Sequence, residues 1–68
     1  MEPETERILE NIRKIRLEKG ISVLNLSLEA GISHSHLFYI ESKRTIPSID
    51  VLVRIAKALD TQLCEFIN

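Results

Sequence analysis

Cysteine is nearly absent from this 68-residue chain. Cys64 stands alone, so no internal disulfide can form and no paired cysteines are present to bind zinc. No apolar run approaches the length of a membrane span, and the first residues, MEPETER, are acidic where a signal peptide would be basic and then apolar. These absences favour a reducing compartment, and we expect a cytoplasmic protein.

Glycine and proline are also scarce, with two residues of each, and no alternating β-branched run is bounded by turn residues. The sequence therefore disfavours a β-sheet and predicts helices. A chain of this length holds one domain, and its small core gives marginal stability unless a second subunit contributes. We predict a single all-α domain over residues 1–68, with a flexible acidic segment at residues 1–4.

An excess of positive charge is absent as well, because the formal net charge is −1. Nucleic-acid-binding domains often carry a strongly basic total, but the distribution of charge matters more than its sum. Between residues 30 and 49 the only acidic residue is Glu41, against Lys43, Arg44 and two histidines. This segment can form a basic surface on a nearly neutral protein.

Apolar spacing predicts two amphipathic helices. In the first, at about residues 5–19, Ile8, Ile12 and Ile15 recur along one stripe, and Gly20 marks the C-terminal end. The second is predicted at about residues 49–59, after a cap at Ser48. Its inner stripe is expected to consist of Ile49, Leu52, Ile55, Ala56 and Leu59.

Two shorter helices are predicted between them, separated by a glycine turn. Ser22 and Ser33 are N-cap residues for helices at about residues 23–30 and 34–42, and Gly31 ends the first. Two short helices of this kind, each apolar on one side, are typical of a helix-turn-helix, whose second helix enters the major groove of DNA. The motif spans about residues 22–42, and a last turn at about residues 63–67 completes five helices.

Four blocks of sequence extend this pattern along the chain. They are IRKIRLEKGIS (12–22), LSLEAGIS (26–33), HLFYIESKRTIPS (36–48) and LVRIAKAL (52–59). In order and spacing they resemble the Cro and lambda-repressor family of bacterial and phage regulators, the Xre type. The resemblance covers Ile8 to Ile67. It implies a compact five-helix bundle that binds a palindromic operator in double-stranded DNA as a homodimer, with the third helix in the major groove.

The resemblance also assigns residues that read DNA bases. His34 and Ser35 open the third helix, and Tyr39 lies one turn further on, at positions that reach base edges in the family. Their side chains can donate or accept hydrogen bonds, which suits direct readout. The alternative is an ordinary solvated helix face. Phe38 is expected either to pack on a thymine methyl group or to contact another protein.

Backbone contacts are expected from the family's loop after the recognition helix, where Lys43 and Arg44 stand, and from Ser22. Positive charge at these positions strengthens binding without reading sequence. The alternative is solvated loop charge. In the family, the positions of Arg16 and Glu41 form an ion pair that links the first helix to the end of the recognition helix, and so sets its pose.

Some residues depart from the family pattern. Val23 stands where the family usually has a Gln that helps to fix the DNA backbone, and Leu24 and Leu28 occupy positions that are commonly polar. Because exposed apolar patches usually mark a partner, we expect these three residues to form a face for a second protein or a second copy. Asp60 and Gln62 replace the usual Gly and Ser, so we expect the last helix to be loosely held.

Two functions follow from these observations. The first is a sequence-specific DNA-binding transcriptional regulator, dimeric through a surface that includes Leu63, Phe66 and Ile67. The second is an interaction module of the same fold, antitoxin-like or a repressor partner, with weak or no specific DNA binding. The basic segment after residue 42 favours the regulator, whereas the unusual leucines favour the interaction module.

No cofactor, metal site or enzymatic activity is expected. His34 and His36 are two residues apart and point about 200 degrees away from each other on a helix, so they cannot share one metal ion. Cys64 has no base at an identifiable spacing that would activate it as a nucleophile.

Overall fold

The computed structural model describes every residue from Met1 to Asn68 and contains only helices. The four α-helices are α1 (Pro3–Glu18), α2 (Val23–Ala30), α3 (His34–Glu41) and α4 (Ile49–Ala58), and a 3₁₀ helix covers Leu63–Phe66. The predicted all-α class is confirmed, and the helix count differs slightly from five because the last predicted helix is a single 3₁₀ turn. Helix α1 begins earlier than expected because Pro3 is well suited to the first turn of a helix. Residues 3 and 4 are therefore part of the helix, while the flexibility expected for residues 1–4 stays a prediction.

Serine side chains begin three of the four α-helices, as the sequence indicates. The hydroxyl of Ser22 accepts from the Asn25 amide at 3.0 Å, and that of Ser33 accepts from the His36 amide at 3.0 Å. Ser48 accepts from the Val51 amide at 3.2 Å. Each cap satisfies an amide that the helix cannot pair internally and is worth about 1 kcal/mol.

Left-handed backbone conformations follow all four α-helices, at Gly20, Gly31, Lys43 and Asp60. Gly31, with φ of 71°, ends α2 and turns the chain into α3, a conformation that costs glycine little. Lys43 after α3 and Asp60 after α4 adopt φ of 65° and 54°, although both carry a Cβ atom. The conformation at Asp60 explains why the family usually has glycine there, and it places local strain at both turns.

The core lies where all five helices meet. Helix α2 packs on α3 and α4, while α1 packs on α3 and on the 3₁₀ helix. The buried apolar residues are Leu9, Ile12, Leu26, Ala30, Leu37, Ile40, Ile55, Ala56, Leu59 and Phe66. Ile49 is absent from this set, with 70% of its surface exposed. The predicted stripe of α4 is wrong at this residue because Ile49 is the first residue of the helix and no other element covers it.

The C-terminal segment is held firmly, contrary to the expectation of a loose last helix. Gln62 makes no side-chain cap, but Phe66 is completely buried. The side-chain amide of Asn11 on α1 donates to the carbonyl oxygens of Phe66 at 2.8 Å and Asn68 at 2.7 Å. Burial of a phenylalanine and these two hydrogen bonds compensate for the missing cap. No helix of the protein is long and apolar enough to span a membrane.

Candidate nucleic-acid interface

Helix α3 has one buried side and one exposed side. Leu37 and Ile40 are completely buried and fix the helix on the core. The exposed side carries the four predicted base-contact residues, His34, Ser35, Phe38 and Tyr39. The helix therefore presents two groups that can both donate and accept hydrogen bonds near its start, and two aromatic rings further along.

These four side chains line a hollow of about 310 Å³ together with Arg44. The guanidinium carbon of Arg44 lies 5.8 Å from the centre of the Tyr39 ring, a cation–π distance. The Phe38 and Tyr39 rings meet edge to face, with centroids 5.9 Å apart. The structure thus gathers four predicted base-contact residues and one predicted phosphate contact on a surface that contains no carboxylate.

An ion pair connects α1 to the end of α3 at the positions where the family resemblance implies one. Arg16 Nε donates to Glu41 Oε2 at 2.7 Å, and Arg16 Nη2 donates to Glu41 Oε1 at 2.9 Å. Arg16 Nη1 also donates to the Ile21 carbonyl at 2.8 Å. A planar guanidinium with partners on three nitrogens has little rotational freedom, so this pair fixes the angle between the helices.

Lys43 differs from its neighbour Arg44 because it has a carboxylate partner. Lys43 Nζ donates to Glu10 Oε1 on α1 at 2.8 Å. This hydrogen bond raises the pKa of the Lys43 ammonium above its ordinary value of 10.5. Sequence reasoning missed Glu10 because 33 residues separate the partners and no local pattern signals the contact. A phosphate contact by Lys43 would have to compete with Glu10.

Ser22 keeps one hydrogen-bonding function free. Its oxygen accepts from the Asn25 amide, while its hydroxyl proton has no acceptor within the protein. A serine hydroxyl can donate and accept at once, so Ser22 is able to cap α2 and donate to a phosphate oxygen together.

The three apolar residues that depart from the family pattern do not share one face. Leu24 and Leu28 are 53% and 69% exposed, as the helical spacing predicts. Val23, in contrast, is half-buried and packs against the core. It lines a different hollow beside Phe38, so the expected partner face consists of the two leucines alone.

The expected dimer surface is also smaller than predicted. Phe66 belongs to the core and has no exposed surface to offer. Leu63 is half-buried and packs against the same core, whereas Ile67 is exposed. Ile46, in the loop before α4, and Ile49 are further exposed apolar residues, and apolar spacing assigns Ile49 to the inner stripe of α4.

The arrangement of α2 and α3, with a capped turn between them and a polar and aromatic face on α3, defines a helix-turn-helix DNA-binding domain. Residues 12–66 match the model of the helix-turn-helix family HTH_3. The chain therefore belongs to this Xre-type family of DNA-binding transcriptional regulators.

One relative is the HTH-type transcriptional regulator SlrR of Bacillus subtilis (strain 168). It is 36% identical to this chain over 58 residues, which are 84% of this chain and 38% of SlrR. The chain thus spans less than half of the length of this relative.

Solved structures share the fold. The restriction-modification controller protein C.Esp1396I has a TM-score of 0.90 and 24% identity, with 98% of this chain and 90% of that chain covered. The controller C.AhdI from Aeromonas hydrophila has a TM-score of 0.86 and 24% identity, covering 93% and 94%. The clp gene regulator ClgR from C. glutamicum has a TM-score of 0.88 and 21% identity, covering 97% and 86%.

Proposed function

We propose that this protein is a sequence-specific transcriptional regulator that inserts α3 into the major groove of double-stranded DNA. The observation that carries the proposal is the carboxylate-free hollow formed by the exposed side of α3 and Arg44. An α-helix fits the width of the major groove, and imidazole, hydroxyl and phenol groups can read base edges there. Arg44 and the free hydroxyl of Ser22 are suited to phosphate oxygens.

We further propose that two copies bind a palindromic operator. The longest extent of the domain is 28 Å. Successive major grooves on one side of DNA are about 34 to 36 Å apart, so one domain covers one half-site and two fit side by side. The exposed Ile67, with the half-buried Leu63 beside it, is the proposed contact between copies. We propose a cytoplasmic location for this function.

The test is selection of bound sequences from a random duplex library, followed by sequencing. The wild-type protein is expected to enrich one palindromic motif with half-sites about one helical turn apart. The variant His34→Ala/Tyr39→Ala removes only exposed side chains and serves as the matched control. It is expected to keep the melting temperature of the wild type and to lose the motif. Absence of an enriched motif with the wild-type protein would overturn the proposal.

Sedimentation of the purified protein, with and without the selected DNA, tests the homodimer. A monomer at high micromolar concentration in both samples would contradict two-fold binding. A melting temperature that rises with protein concentration is the expected companion result, because association stabilises only the folded chain.

The two exposed leucines of α2 favour a second candidate function, an interaction module for another protein. Leu24 and Leu28 lie one turn apart on the outer side of the helix. Burial of a leucine is worth roughly 1.5 to 3 kcal/mol, so a protein partner would recover stability that the isolated domain lacks. An antitoxin-like protein or a repressor partner would use this surface, either in addition to DNA binding or in place of it.

A further inference from the structure

Helix α1 presents a guanidinium group beside α3. Arg13 is exposed and takes part in none of the three ion pairs of the chain, which join Arg16 to Glu41, Lys43 to Glu10 and Arg54 to Asp50. The sequence alone does not indicate which side of α1 this residue occupies. In the structure it lines a hollow of about 280 Å³ with Val23, Phe38 and Ser42, above the buried pair of Arg16 and Glu41.

Phe38 is shared by this hollow and by the one that contains Arg44. The ring therefore separates two depressions, each of which holds one arginine without a carboxylate partner. Arg16 also borders the first depression, but its charge is balanced by Glu41 and its nitrogens are already paired. In the hollow beside Phe38, Arg13 is thus the cation without an ion-pair partner, as Arg44 is in the other. Lys14 is also in no ion pair, but it borders a neighbouring hollow that Arg13 shares with Glu10 and Lys43.

We propose that Arg13 binds a phosphate of the DNA backbone on the α1 side of α3, while Arg44 binds a phosphate on the other side. This inference rests on the proposed function. A helix in the major groove lies between two phosphate backbones, so cations on both sides of it face different strands. A guanidinium suits this contact because its planar fork can donate two parallel hydrogen bonds to a phosphate.

Two neighbouring residues are less suited than Arg13 to bind a phosphate at this place. The side chain of Val23, which borders the same hollow, has no hydrogen-bonding group. Lys43, another cation near the junction of α1 and α3, already donates to Glu10. Lys14 borders the hollow that contains Lys43, but not the hollow beside Phe38. Arg13 is therefore the cation in the hollow beside Phe38 that remains available to a phosphate.

The experiment measures binding to the DNA motif selected by the wild-type protein, as a function of salt concentration. Arg13→Ala and Arg13→Gln are expected to lower the slope of log K against log salt by about 0.9, the value for one lost phosphate contact. Arg13→Lys is expected to keep most of the slope, because it keeps the charge. The motif selected from a random library should be the same for all of these variants, because a phosphate contact carries no sequence information.

Arg7→Ala is the matched control. Arg7 is also an exposed arginine of α1, but it lies near the helix start, beside Pro3 and Glu4. This change is expected to leave the slope at its wild-type value. An equal loss of slope in Arg7→Ala would show a general effect of charge and would overturn the specific contact.

Other outcomes separate this inference from the proposed function. A wild-type slope in both Arg13→Ala and Arg13→Gln, with the motif still selected, would overturn the role of Arg13 and leave the regulator intact. Failure of the wild-type protein to select any motif would overturn both. Circular dichroism checks that the variants are folded, which is expected because the Arg13 side chain is exposed.

Discussion

The guanidinium of Arg16 and the carboxylate of Glu41 form two hydrogen bonds of 2.7 and 2.9 Å between α1 and the last residue of α3. Only 8% and 6% of the two side chains are exposed. This ion pair fixes the orientation of α3, whose exposed side carries His34 and Tyr39. The direction of these two side chains therefore depends on a buried pair that DNA does not need to contact.

Removal of one partner of this pair should destabilise the protein strongly. Glu41→Ala leaves the Arg16 guanidinium buried without its counter-ion, and we expect a loss of roughly 3 to 5 kcal/mol in the free energy of unfolding. Urea denaturation of the wild type and the variant measures the difference. The matched control is Asp50→Ala, which breaks an exposed i,i+4 pair with Arg54 and should cost less than about 1 kcal/mol. A loss of that small size in Glu41→Ala would contradict a structural role for the pair.

The two loop cations should contribute unequally to DNA binding. Arg44→Ala is expected to lower the salt slope by about 0.9, because Arg44 takes part in none of the three ion pairs of the chain. Lys43→Ala should lower it by less, because a phosphate must displace Glu10 from the Lys43 ammonium. Glu10→Gln should then strengthen binding and steepen the slope. Equal slopes for Glu10→Gln and the wild type would mean that Glu10 does not compete with DNA.

The starts of α2, α3 and α4 and part of the core could be predicted from sequence because their causes are local. A serine followed by an apolar stripe fixes a cap and an inner face within a few residues, as at Ser22 and Leu26. The pairing of Lys43 with Glu10 and the clamp of Asn11 on Phe66 could not be predicted, because their partners are 33 and 55 residues apart. An apolar side chain such as Val23 or Ile49 can lie in the core or on the surface. Only the packing of neighbouring elements decides how exposed it is.

Strain at the end of α4 can be removed by one substitution. Asp60 has a φ of 54°, a conformation that disfavours residues with a Cβ atom. We expect Asp60→Gly to stabilise the protein by roughly 0.5 to 1 kcal/mol, after allowing for the greater freedom of glycine in the unfolded chain. Asp60→Ala is the control and should not stabilise, since alanine keeps the Cβ atom. Thermal unfolding of both variants measures the effect, and a lower melting temperature for Asp60→Gly would contradict the strain.

The outer side of α2 offers the last prediction. Leu24 and Leu28 are more than half exposed and contribute little to the core, so the double change Leu24→Glu/Leu28→Glu should leave helicity and melting temperature nearly intact. It should abolish association through this face, measured by sedimentation of the purified protein and by binding to any isolated protein partner. Leu17→Glu is the control, because Leu17 is 52% exposed on a different helix and the change places one glutamate on a similarly exposed apolar residue. Unfolding of the double variant would show that both leucines stabilise the core. Unchanged association would remove α2 from the interaction surface and leave DNA recognition as the function of the exposed residues of the motif.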